Sequence, residues 1–531
     1  MNLDTIVRGG TVVDGTGSAG VVADVGLRGR RVEVVGDLTG VRAAREHDVT
    51  GQVVTPGFVD VHTHSDLTTF LPDDAEDVKL AAVRQGVTSE VVGNCGWTPF
   101  PAVAERRALI RDHVTAVFGG AARTFDTVAE YRTAMAGRPL PTNLAPLIGH
   151  GTIRAAVLGL GRVGSGPSSA AAMERMLEQA LDEGAFGMSS GLVYPPGVYS
   201  QAEELRALGV VLARRGSIYA THMRNEMETV GEAVEEGIAV ARRTGAAVQL
   251  SHIKVAGRER WGTVGTVIDQ IDRAVADGLD VRGDVYPYTA GSTMLRAILP
   301  PWVNEGGIDA MLTHLADPRS RRRIAAEFVS GLPGWQNFAA AAGWDGIVIA
   351  GAPARREIEG RSIADLARAW GQQPADVVAS VLTELRGDVL VVLHMMSEDD
   401  IRLLLAQPQM LIGSDTIPLP GRPHPRTAGT FARVLGRYVR DGQVADLPSI
   451  IRRMTSVPAQ RFRLGRRGVV APGYEADLVV LDPLTVADRA TFDEPLLTPI
   501  GIRHVLVAGR AVILDGADTG VRPGRVLEPV S

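Results

Sequence analysis

Residues 57–66 read Gly-Phe-Val-Asp-Val-His-Thr-His-Ser-Asp, an apolar strand that ends in two histidines one residue apart. Alternate residues of a strand point to the same side, so His62 and His64 project together from the strand end. Two imidazoles placed this way suit a divalent metal with nitrogen ligands. An isolated His-x-His also occurs as a surface pair at a turn. Here the pair follows Pro56-Gly57 and a buried-looking strand, and further His, Cys and Asp candidates stand at later strand ends.

Outward from this run, apolar strand segments alternate with helical ones. Strands are predicted near 54–62, 87–94, 143–149, 185–190, 217–222, 246–252, 279–286 and 410–415, with helices such as 171–182 and 229–243 between them. Repeated βα units make a parallel sheet. Eight of them predict an α/β fold, a (β/α)8 TIM-like barrel, spanning 56–460. The spacing before the last strand is too long for one connection. Residues 290–388, with Pro300-Pro301, two Gly-Trp pairs and several helices, read as an inserted lid segment. The strand-like run 389–394 precedes Ser397-x-x-Asp400, a capping-box start, and competes with 279–286 for the seventh barrel position.

The two ends of the chain share a style of short alternating strands with Gly and Asp turns, at 1–55 and again at 461–531. Neither end has enough strands for a core of its own. A small β-sandwich domain built from both termini is the expected solution.

Composition narrows the class. The 531 residues are 45% hydrophobic and carry a net charge of -6, with no basic run that argues for nucleic acid or a membrane surface. The N-terminus lacks a charged region followed by an apolar one, and no apolar run reaches spanning length. A cytoplasmic location is expected. The single cysteine, Cys95, excludes an internal disulfide. Only two lysines, Lys79 and Lys254, stand among 55 basic residues, so a retained lysine suggests a need for a compact ammonium. Lys79, on a surface helix, need not share that reason.

Barrel enzymes carry their chemistry at the C-terminal strand ends. Those ends hold His62 and His64, Cys95 in Gly-Asn-Cys-Gly, His150, His222, His252 with Lys254, and Asp415. Each has a plain alternative: a buried small thiol, a hydrogen-bonded histidine, a helix-capping Asp. All on one rim, they describe a borderline-soft site that favours Zn2+ over Mg2+ or Ca2+. Zinc activates water and polarises a carbonyl, and an Asp beside it moves a proton to a leaving nitrogen. The chemistry expected is hydrolysis of an amide or related C–N bond. Lys254, Tyr286 (or Tyr288) and Arg426 converge as candidates to hold a carboxylate. A rim salt bridge is the plain reading of Arg426. His47, His113, His314 and His504 lie away from strand ends and read as solvated, and His394 as a residue that supports the site or is simply packed.

The chain is similar to the amidohydrolase superfamily and, within it, to the N-acyl-D-amino-acid deacylases (D-aminoacylases). The resemblance rests on the 57–66 run, Val-Val-Gly-Asn-Cys-Gly, Leu-Ile-Gly-His-Gly-Thr-Ile-Arg, Thr-His-Met-Arg-Asn-Glu, Leu-Ser-His-Ile-Lys, Tyr-Pro-Tyr-Thr-Ala-Gly-Ser, Gly-Ser-Asp and Arg-Pro-His-Pro-Arg. It implies a tight zinc site at Cys95, His222 and His252, a weaker second site at His62 and His64, and Asp415 as metal ligand and catalytic acid/base. A cysteine replaces the carboxylated lysine of other superfamily members. Lys254, Tyr286 and Arg426, with His150, make up the implied substrate-binding set; His150 also fits a packed or supporting role. The partner implied is a small-molecule N-acyl amino acid, and the oligomeric state stays open. Two departures bear on the pocket: Thr416 stands where the family has Gly, and Trp97-Thr98 are larger than expected. Alternatives are a cyclic amide, N-carbamoyl or natural-product substrate, or a non-catalytic barrel scaffold. Deamination fits less well, because Glu226 lies four residues after His222 rather than three.

Overall fold

The helix Val230–Thr244 shows how the repeating unit forms. It buries Val230, Ala233, Val234, Gly237, Ile238 and Ala241, three and four residues apart, and stops where Gly245 takes a left-handed φ of 78°. The chain then enters the strand Ala247–Leu250. The computed structural model describes residues 2–530.

Eight such strands run parallel: β1 (Phe58–Asp60), β2 (Val87–Val92), β3 (Asn143–Pro146, continued by Ile148–Gly149), β4 (Gly187–Gly191), β5 (Ile218–His222), β6 (Ala247–Leu250), β7 (Val281–Val285) and β8 (Met410–Ile412). Each pairs with the next in parallel register. β3 changes partner at Leu147, whose N–H bonds Val92 on β2 while Pro146 C=O accepts from Phe186 at the head of β4. A parallel bridge between Thr63 and Thr416 joins the first strand to the last and closes the ring. Val59, Val91, Leu147, Phe186, Ile218 and Leu411 form one apolar cluster from its strands. All C-terminal strand ends therefore lie on one rim.

β7 is the 281–285 strand, because it pairs with both β6 and β8. The competing run, Leu390–His394, is instead the middle strand of an antiparallel sheet with Ala290–Met294 and Ile347–Gly351. A short apolar run does not reveal whether its neighbours are parallel. The inserted segment thus runs past 388 to include this strand. It has its own core, including Leu295, Ile298, Met311, Leu366 and Val391. Ser397 caps the following helix by accepting from Asp399 N. Asp400 does not complete the box; its carboxylate accepts Gly262 N at 3.0 Å.

Strands from both ends of the chain lie in one nine-stranded sheet. Val53–Pro56 pairs antiparallel with Leu478–Leu481, Val54 opposite Val480. Among the described residues no helix is long and apolar enough to cross a membrane.

Candidate metal centre

The strand ends bring six residues together. Cys95, His222 and His252 form one ligand set, and His62, His64, Cys95 and Asp415 form another, with ligand atoms in each set within 4.8 Å of one another. Cys95 belongs to both. Its Sγ lies 3.3 Å from His62 Nε2 and 3.6 Å from both His222 Nδ1 and His252 Nε2. Bonds of about 2.0–2.3 Å to a tetrahedral zinc leave ligand atoms roughly 3.3–3.8 Å apart. The thiolate and imidazoles present therefore fit zinc in both chemistry and spacing.

The backbone is shaped to aim these groups. Cys95, His252 and Asp415 all have left-handed φ values, 53°, 37° and 52°, which non-glycine residues adopt only when their surroundings hold them there. Asp284 at the end of β7 holds His252, accepting its N–H at 2.7 Å, and its carboxylate also lies 3.5 Å from His62 Nδ1. Asp415 N donates to His62 O at 2.7 Å. Gly96, next to Cys95, must be glycine: with φ 78°, a Cβ there would sit 2.8 Å from Gly191 N.

Electrostatics favour charged ligands. Burial pushes the Cys95 thiol up, but His62 and the contacts from His222 and His252 outweigh it and hold it well below the usual thiol range. Burial also opposes ionisation of Asp415, yet the Arg426 guanidinium, then His252, hold its carboxyl well below the ordinary value. Arg426 Nη1 lies 2.8 Å from Asp415 Oδ2, while Nε, Nη1 and Nη2 have no aligned hydrogen-bond partner among the described residues. Its guanidinium sits 4.7 Å from the Tyr286 ring centre, and Lys254 Nζ 5.5 Å from the same ring. The three proposed carboxylate-binding residues thus adjoin one another, and Lys254 and Tyr286 line the cavity beside the ligand sets.

Sequence reasoning gave Glu226 no place in this site. It is buried, and its Oε1 accepts Lys254 Nζ at 2.6 Å and lies 3.1 Å from His252 Nδ1. Burial opposes its charge, but Lys254, followed by His222 and His252, holds its pKa far below normal. Asp284 was missed too, although it lies in the Asp-Val-Tyr-Pro-Tyr stretch and ends a strand, the signal that singled out Asp415.

The expected substrate contact of His150 is corrected. His150 does not line the cavity; its Nε2 bonds Glu204 at 2.7 Å, and Glu204 also pairs with buried Arg154. His150 is the first residue of the helix His150–Leu158 and is buried. His113 and His504 are buried rather than solvated; His504 Nδ1 accepts Asp515 N and its ring packs on His47. His394 packs on Phe492. Thr416 does not line the cavity, and its hydroxyl pairs with Thr427 at 2.7 Å. Trp97 does line the cavity, its ring centre 4.4 Å from that of Tyr194.

The inserted segment supplies Ser292, Thr293, Phe338, Leu393 and Met395 to the cavity wall. The cavity is narrow, with about 30 Å³ open to water. A larger cavity of about 370 Å³ beside Lys79, Arg138 and Arg522 contains none of the metal-ligand candidates; Lys79 pairs with Asp73 and Arg522 with Asp518.

A closed ring of parallel strands with a His, Cys and Asp set on its C-terminal rim is the arrangement of a metal-dependent amidohydrolase. Residues 45–513 match the amidohydrolase family, and the chain belongs to it. It is 37% identical over 525 residues to an N-acyl-D-glutamate deacylase of Alcaligenes xylosoxydans xylosoxydans, covering 99% of this chain and 96% of that protein. The crystal structure of N-acyl-D-glutamate deacylase from Bordetella bronchiseptica, complexed with zinc and a phosphonate mimic of the tetrahedral intermediate, superposes with a TM-score of 0.83 at 35% identity, covering 99% of this chain and 100% of that one. A D-aminoacylase, described as having a binuclear metal centre with one-metal activation and second-metal attenuation, superposes with a TM-score of 0.82 at 37% identity, covering 99% of this chain and 100% of that one.

Proposed function

We propose that the chain is a zinc-dependent hydrolase that cleaves the amide of N-acyl-D-amino acids to a carboxylic acid and a free D-amino acid. The observation that carries this reading is Cys95 shared between two ligand sets, with Asp415 in one of them and a Lys–Tyr–Arg group alongside. The names of the similar proteins support the D-amino-acid assignment. Cys95, His222 and His252 would hold the tight zinc, and His62 and His64, with Cys95 and Asp415, a weaker second one. When bound, zinc polarises the scissile carbonyl and makes water a better nucleophile. Lys254, Tyr286 and Arg426 bind the substrate carboxylate. Asp415 takes the proton of the attacking water and delivers it to the leaving amide nitrogen.

The domain reading belongs to the same proposal. Residues 1–55 and 461–531 form a β-sandwich, 56–460 a (β/α)8 barrel, and the insertion beginning at 290 a lid. Support for the lid is that the insertion supplies part of the wall of the narrow cavity over the ligands. A bound product analogue is expected to lower the protease sensitivity of 290–388. Unchanged cleavage on saturation argues against a lid.

The test of function is a screen of N-acetyl D- and L-amino acids with metal analysed on the same sample. Hydrolysis of D-substrates by zinc-bearing protein is expected. Opening of cyclic amides, with linear N-acyl-D-amino acids untouched, overturns the proposal. Cys95→Ala is expected to lose the tight zinc, since it removes the thiolate common to both sets. Full zinc occupancy in that variant refutes the ligand assignment.

A further inference from the structure

Gln336 lies in the insertion, 110 residues from Glu226, and is 2% exposed. Its side-chain Oε1 accepts Glu226 N–H at 2.8 Å, and its Nε2 approaches Glu226 Oε2 at 3.4 Å. The other oxygen of that carboxylate holds Lys254. We infer that Gln336 is a positioning residue that couples docking of the inserted segment to the placement of Lys254 for the substrate carboxylate. The inference rests on the function proposed above and goes beyond it by naming the contact through which the insertion acts.

The chemistry calls for this residue type. One side chain must accept from a backbone N–H and donate to a carboxylate, and a long amide does both from separate atoms without bringing charge. Glutamate would set a second carboxylate against Glu226. Asparagine is one methylene short, and alanine offers neither contact. The neighbouring residues suit a moving partition. Asn337 caps the short helix Phe338–Ala342. Phe338 lines the narrow cavity over the ligands. Asn337, Ala340 and Ala341 line an open groove of about 690 Å³ together with Met227, Glu228 and Ala256. Lifting this partition joins groove to cavity and takes Gln336 away from Glu226. The carboxylate then loses the hydrogen bond from Gln336 and is held less firmly, and Lys254 with it. Re-docking restores the pair, so the lysine takes its place as the cavity closes.

The test compares wild type with Gln336→Ala, Gln336→Glu and Gln336→Asn by three measurements: zinc content, cleavage by protease within 336–342 in the substrate-free protein, and kcat and KM for a free-acid substrate and its carboxamide. Losing a hydrogen bond to a charged group is expected to raise the cleavage rate of Gln336→Ala about tenfold. Zinc content is expected to stay at the wild-type level. KM for the free acid should rise about tenfold, with a smaller change for the carboxamide. Gln336→Asn is expected to fall between wild type and Gln336→Ala, and Gln336→Glu to be worse than Gln336→Ala. Unchanged cleavage in Gln336→Ala overturns the inference, as does an equal loss on acid and carboxamide. Lost zinc would show that Gln336 supports the fold of the site rather than positioning Lys254. A wild-type protein that hydrolyses no N-acyl amino acid counts against the proposed function, whereas the cleavage measurement still decides the role of Gln336.

Discussion

Asp415→Asn is expected to fold, to keep zinc at Cys95, His222 and His252, and to lose about two to four orders of magnitude in kcat, the span of general acid–base catalysis. The substitution preserves the shape of a residue whose backbone is already held, with φ 52° and its N–H bonded to His62 O. It removes the group that accepts a proton. The carboxylate stands 3.6 Å from His64 Nε2 and 3.5 Å from His62 Nε2, so it faces the ligand sets and not the barrel wall. Its ionised form is favoured by Arg426 and His252 over the cost of burial. Single-turnover and steady-state rates, measured with metal content, check the prediction. Near-normal turnover removes Asp415 from the proton path. Loss of the tight zinc would mean that the residue acts mainly by holding the site together.

Arg426→Ala is expected to reduce kcat/KM for a free-acid substrate by on the order of 2–5 kcal/mol, roughly 30- to 5,000-fold, the usual cost of removing a charged partner from a desolvated pair. Arg426 is fully buried and none of its guanidinium nitrogens has an aligned partner among the described residues. A buried guanidinium in that state is poised for an acceptor. Its nearest carboxylate is Asp415, so some of the loss will come from exposing Asp415 to a different field and will fall on every substrate. The excess on the free acid over the matching amide measures carboxylate recognition. Equal losses on both place Arg426 behind Asp415 alone. Lys254→Arg is also expected to be damaging, because the ammonium fits between Glu226 at 2.6 Å and His252 Nδ1 at 2.8 Å, a space the larger planar fork does not share.

Much of the metal set was legible because it depends on local periodicity. The two-residue spacing of His62 and His64 puts both on one face of a strand whatever surrounds it. Counting alternating strands and helices between 54 and 415 was enough to expect a parallel ring, and a ring places its strand ends together. Cys95, His222, His252 and Asp415 could therefore be grouped before their distances were known.

What the chain left open was the choice of partner across long separations. The run Leu390–His394 looks like any buried strand; its antiparallel neighbours come from residues about a hundred and about forty positions earlier. His150 stands at a strand end like the ligands, yet Glu204, far along the chain, captures it. The pairing of Glu226 with Lys254, its contact with Gln336, and the left-handed turns at Cys95, His252 and Asp415 exist only after the ring closes and the insertion docks. Sequence alone determined which residue types face one another around the metal, because that follows from strand period and order. Tertiary structure decided which of the remaining polar groups are bound, diverted or left waiting, because a buried hydrogen bond depends on whichever distant side chain packing brings within reach.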